Sequence, residues 1–149
     1  MKKYLMLFLI TCSLTTMAQV AEVTPVTETV TSSLKPGAPL SELASSIQPS
    51  VFAKSFNNET WKNNLNNVSN PMALGRSLTD LVLGLNPDAF NSNWQNNKNG
   101  WLSKAKGLNK FSDAPALLKE LESSLNPSVR TADWAGKKDA WLKSLENIR

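Results

Sequence analysis

The stretch ELASSIQPSV, Glu42 to Val51, returns as ELESSLNPSV, Glu120 to Val129. Seven of ten positions are identical at a separation of 78 residues. A more divergent version, DLVLGLNPDA, runs from Asp80 to Ala89 between them. Recurrence at a fixed period is the mark of a chain built from units that cannot bury their apolar faces alone and must stack on one another. What this chain says twice is therefore architecture rather than chemistry.

The three copies share a skeleton. Leu40, Leu43 and Ile47 open the first, Leu78, Leu81 and Leu85 the second, and Leu118, Leu121 and Leu125 the third. The spacing i, i+3, i+7 is one face of a helix. A proline follows two residues later in each: Pro49, Pro87 and Pro127. Seven residues beyond it stands an aromatic (Phe56, Trp94, Trp134), and a tryptophan closes each set (Trp61, Trp101, Trp141). The period is 38 residues between the first and second copies and 40 between the second and third.

Proline suits a first helical turn, and the residue before it disfavours the helical region. The first helix of each copy should thus stop near Ile47, Leu85 or Leu125. A new one should start at the proline, with Asn86 and Asn126 as caps and Gln48 as a poorer one. The interval from Phe56 to Trp61 is five residues, against seven from Trp94 to Trp101 and from Trp134 to Trp141. Two residues removed inside a helix would rotate everything beyond by about 200°. The polar stretches NNET, QNNKNG and AGKKDA are accordingly expected to break the helix, giving three short helices per copy, with two kinked helices as the alternative. The last helix carries Trp61, Leu65 and Val68, matched by Trp101, Ala105 and Leu108 and by Trp141, Leu145 and Ile148. A helix of about ten residues does not persist alone in water, so the copies must pack on each other. The expected fold is all-α: three tandem helical repeats of about 39 residues, near residues 38–74, 75–113 and 114–149, forming one compact domain. An open solenoid and a closed bundle both satisfy the pattern.

The N-terminal end points to export. Lys2 and Lys3 precede the apolar run Tyr4 to Ile10, and Thr16-Met17-Ala18 stands before Gln19. This is the form of a secretory signal peptide over residues 1–18, cut between Ala18 and Gln19. The run is far short of the ~20 residues of a spanning helix. The competing reading is a lipoprotein anchored through Cys12, for which Thr11 is an unusual neighbour. Residues 19–37, rich in Thr, Val, Ser and Pro, read as a disordered spacer.

Cys12 is the single cysteine, and the chain has no histidine. A processed chain would lack the usual general base, the strongest metal ligands and the Ser-His and Cys-His nucleophile pairs. No Gly-rich phosphate loop is present. No catalytic, cofactor or metal residue is therefore assigned. A net charge of +4 that includes Lys2 and Lys3 is too small and scattered for nucleic acid.

Glu42, Asp80 and Glu120 occupy the same place in each copy and could form an acidic ladder. Their plainer role is a charge near a helix N-terminus, with Ser77 and Asp80 resembling a capping box. Among the five tryptophans, Trp94 and Trp134 stand nearest the expected break. They are the first candidates for exposed rings that stack on a sugar or anchor a partner. Arg130 replaces Phe52 and Phe90, either as the polar face of a terminal repeat or as a contact site. The expected function is a non-enzymatic binding or scaffolding protein of the cell envelope or exterior, with a protein or an envelope polymer as partner. The alternatives are a carbohydrate-binding module using Trp94 and Trp134, and a hydrolase relying on carboxylates alone.

Overall fold

A computed structural model describes residues 35–149. The expected signal peptide, the Ala18–Gln19 cleavage site, Cys12 and the spacer as far as residue 34 lie outside the described residues. The fold is all-α, with no strand among the described residues. Six helices follow in order: α1 (Ala38–Ser45), α2 (Asn58–Asn66), α3 (Pro71–Gly84), α4 (Trp94–Lys106), α5 (Ala114–Ser124) and α6 (Trp134–Ser144). None is long and apolar enough to cross a membrane.

Each apolar stripe read from the sequence faces one core. Leu40, Leu43, Ile47, Leu78, Leu81, Leu85, Leu118, Leu121 and Leu125 are all buried there with Trp61, Trp101 and Trp141. Burial of one such side chain contributes about 1.5–3 kcal/mol, enough in sum to hold helices that are individually too short. α1 packs on α2, α2 on α3, α3 on α4, α4 on α5, and α6 returns to α1.

Each proline opens a single 3-10 turn rather than a helix: Pro49–Val51, Pro87–Ala89 and Pro127–Val129. The residue after each turn is extended and pairs across a seam. Phe52 bridges to Leu85, Phe90 to Leu125, and Arg130 to Ile47. Every bridge is flanked by two backbone hydrogen bonds. Asn86 N–H donates to Val51 and Ala53 N–H to Gly84; Asn126 to Ala89 and Asn91 to Ser124; Gln48 to Val129 and Thr131 to Ser46. The six lengths are 2.8 or 2.9 Å. The third seam joins the segment after α5 to the end of α1, so the described helices close into a ring.

The indoles follow the same rotation. Trp61 Nε1–H donates to Ser77 O, Trp101 to Leu117 O, and Trp141 to Pro39 O, at 2.9, 3.1 and 2.8 Å. Each bond ties the second helix of one segment to the first helix of the next. Close packing leaves no room for a Cβ at Gly75 or Gly37. A Cβ on Gly75 would lie 2.0 Å from Ala105 O, and one on Gly37 2.6 Å from Leu65 O.

Three local expectations are corrected. The polar stretches do not break the helix: α4 and α6 run unbroken from Trp94 and Trp134 past Trp101 and Trp141. Seven residues are nearly two full turns, so both rings of each pair share one face while QNNKNG and AGKKDA cover the other. The shorter first copy loses its two residues at the helix start instead, where Asn57 caps α2 by accepting from Thr60 N–H. Ser77 is not a cap either. It lies inside α3, whose cap is Asn70, accepting from Ala73 N–H. Asn126 and Gln48 do not cap their turns but reach across seams. Asn126 Nδ2 donates to Asp88 O and Phe90 O, and Gln48 Nε2 to Ser128 O and Arg130 O.

Candidate functional site

The three seams are alike in backbone, so their side chains can be compared position by position. In the first, Phe52 stacks on Phe56 at 5.4 Å between ring centroids and 10° between planes. In the second, Phe90 stacks on Trp94 at 4.9 Å and 9°. In the third, the guanidinium of Arg130 lies over Trp134, with Cζ 4.9 Å from the ring centroid. A planar cation has taken the place of a planar phenyl, held by the ring quadrupole.

That exchange has a partner eight residues upstream, in α5. Ala44 and Val82 are matched by Glu122, which is buried. Arg130 Nη2 donates to Glu122 Oε1 at 3.3 Å and to Glu122 O at 3.1 Å, and its Nη1 donates to Ser46 Oγ at 2.7 Å across the closing seam. The Arg130 and Glu122 side chains are only 8% and 9% exposed. Trp134 Nε1–H donates to Glu122 Oε1 at 3.3 Å. Lys138 Nζ, half in solvent, sits 3.1 Å from Glu122 Oε2. One carboxylate therefore serves two cations and an indole.

An open cleft of about 670 Å³ lies over this cluster, lined by Glu122, Arg130, Trp134 and Lys138 and by the apolar Leu125, Pro127 and Ala135. Three other clefts among the described residues are smaller, about 120, 380 and 360 Å³. Burial lowers the Arg130 pKa, and the attraction of Glu122 restores only part of it. The guanidinium keeps its charge, and the lowering reflects hydration lost on burial.

The second seam shows what happens without Glu122. Trp94 Nε1–H is buried with no hydrogen-bond partner, because the matching position is Val82. An orphaned donor of this kind costs about 1–3 kcal/mol. The first seam avoids the problem by carrying Phe56, which has no N–H.

Trp94 and Trp134 are not the exposed rings expected of them: they are 1% and 4% exposed. A continuous helix puts each ring on the same inward stripe as the tryptophan seven residues on, at 5.5 Å between centroids. Of the two, Trp134 borders two of these clefts. Arg130 is not the solvated face of a terminal repeat, since ring closure leaves no terminal face there. The acidic ladder is not assembled. Glu42, Asp80 and Glu120 line three separate clefts, and Glu120 faces Lys104 at 3.6 Å. Among the described residues no group of three or more Asp, Glu, His or Cys could hold a metal ion. Sequence reading singled out Arg130 but passed over Glu122. The alignment that pairs Arg130 with Phe52 and Phe90 also pairs Glu122 with Ala44 and Val82, and a charge entering an apolar stripe was the available signal.

Comparison of the chain with protein-family models, with curated proteins and with solved structures returns no match.

Proposed function

We propose that the chain is an exported, non-enzymatic binding or scaffolding protein of the cell envelope or exterior. In this reading it is built from three tandem helical repeats closed head to tail, and it meets its partner at the Glu122–Arg130–Lys138 cleft. The repeat part is supported by the recurrent sequence and by three seams with the same bridge, the same backbone bonds and the same indole bond. Export is supported by the signal-like N-terminus.

The observation that carries the binding reading is the difference at the third seam. The same backbone is made twice with apolar side chains, so the fold does not need charge there. A buried ion pair gives little or no stability over apolar residues of similar volume. Its presence beside the largest of these clefts fits a contact surface better than a structural need. Glycan stacking gains no support, because all five tryptophans are buried.

Two measurements test the proposal. The mass of the protein recovered from outside the cytoplasm should correspond to a chain beginning at Gln19; an unprocessed chain kept inside the cell would remove the export reading. The purified mature protein should also retain a defined partner from an envelope fraction. Lys138→Glu should abolish that retention without changing the circular dichroism spectrum. Retention indifferent to Lys138 would move the surface elsewhere, and no retention at all would sink the binding reading.

A further inference from the structure

The charges of the cleft narrow what it can hold. Arg130 and Lys138 share one carboxylate, leaving a surplus of one positive charge at Glu122. Glu122 is also divided: Oε1 accepts from Arg130 and Trp134, and Oε2 faces Lys138. The Arg130 guanidinium makes three hydrogen bonds among the described residues, and it has donors beyond these. Lys138 is the movable member, with 44% of its side chain exposed. Leu125, Pro127 and Ala135, which also line the cleft, offer hydrocarbon.

We infer that the cleft over Glu122 binds a small organic carboxylate, its anionic group held between Lys138 and Arg130 and its apolar body against Leu125, Pro127 and Ala135. A monoanion fits best. It balances the surplus charge, and a phosphate dianion would carry a second charge toward Glu122. An uncharged molecule of the same shape would use the apolar lining and leave the cations uncompensated. Lys138 swings from Glu122 Oε2 to the ligand, and Arg130 keeps Glu122 paired, so no buried charge is abandoned. A volume of about 670 Å³ lies within the usual range of small-ligand sites.

This inference rests on the proposed binding role of the same cleft and is tested separately from it. The probe is phenylacetate, compared with 2-phenylethanol and inorganic phosphate, read by the Trp134 indole N–H resonance of the mature protein. Phenylacetate should shift that resonance saturably at millimolar concentration. The alcohol and phosphate should bind about tenfold more weakly or not at all. Lys138→Met, at a half-exposed position, should weaken phenylacetate by about tenfold. Glu122→Val with Arg130→Phe rebuilds the third seam with the side chains of the second and should remove the response, read there by the remaining backbone resonances. Lys138→Met keeps the test open if that pair fails to fold. Absence of a saturable shift, or equal binding of acid and alcohol, overturns the inference. If a partner from the envelope fraction is still retained through Lys138 in that case, the binding role stands and only the ligand class falls.

Discussion

The second and third seams have the same backbone and opposite chemistry. Around Trp94 the neighbours are Phe90 and Val82, and the indole N–H has nothing to bond. Around Trp134 they are Arg130 and Glu122, and every polar group of the cluster has at least one partner. The apolar version is compact but strands one donor. The charged version satisfies its donors but takes two ions out of water. One chain holds both solutions to the same geometric problem, so each serves as a control for the other, and the difference isolates what charge adds to a seam that packing alone can make.

The largest effect tests whether the closing seam is energetically like the covalently continuous ones. Trp141→Ala and Trp101→Ala each remove a fully buried ring and its bond to a carbonyl of the neighbouring segment. Each should cost about 3–5 kcal/mol in denaturant unfolding. A loss below about 1 kcal/mol for Trp141 alone would mean that α6 contributes little by docking on α1.

Next comes the ion pair. Glu122→Ala leaves Arg130 buried and unpaired, with an expected cost of about 3–5 kcal/mol. Glu122→Val with Arg130→Phe should be neutral or stabilising by about 1–4 kcal/mol. A double variant as damaged as the single one would break the comparison, since the third seam would then need its charges to form.

The indole nitrogens give a sharper, smaller contrast. Trp94→Phe discards an unsatisfied N–H, and Trp134→Phe discards a hydrogen bond to a carboxylate. Trp134→Phe should therefore be the more destabilising by about 1.5–3 kcal/mol. Equal losses in paired chemical-denaturation curves would show that Trp94 finds an acceptor in solution.

Helix composition offers a milder check. A Cβ at Gly100 in α4 or Gly136 in α6 meets nothing within 4 Å. Alanine at either position should raise the melting temperature, with a gain of about 0.5–1 kcal/mol.

The smallest effect concerns the helix starts. Asn93 precedes α4, which carries Asn97, where Asp133 precedes α6 and pairs with Lys137. Hydrogen bonds from Lys137 and then Thr131 lower the Asp133 pKa from 3.8 to about 2. Because the folded value lies below the unfolded one, its stabilisation is present above about pH 4 and fades as pH falls toward 2. Lys137 is raised, so its share is present below the ordinary lysine pKa and lost as pH climbs through the folded value. The pair is exposed, and salt should weaken it. Carboxyl chemical shifts should place the Asp133 midpoint near 2, below the ordinary aspartate value. A normal midpoint there would remove the distinction between the two helix starts.

Much of this fold is legible in the chain because helix periodicity is local. The i, i+3, i+7 leucines and the closing tryptophans name their own buried faces without reference to anything distant. The same rule misled at Trp94 and Trp134. A polar stretch between two tryptophans reads as a break when length is weighed first, and as the wet side of one helix when the interval of seven is taken as two turns. The candidate site was half visible. Arg130 stood out against two phenylalanines, but Glu122 acquired meaning only beside it.

What the sequence determined by itself is the helical class, the period and the identity of the inward residues, since these follow from spacing along one strand of chain. Only the tertiary structure decided that the helices close into a ring, that Arg130 stacks on Trp134 and that Glu122 divides itself between two cations. Those outcomes depend on contacts between residues brought together across the seams, such as Arg130 with Ser46 and Trp141 with Pro39, 84 and 102 positions apart. Spacing along the chain carries no record of which distant surface a helix face will meet.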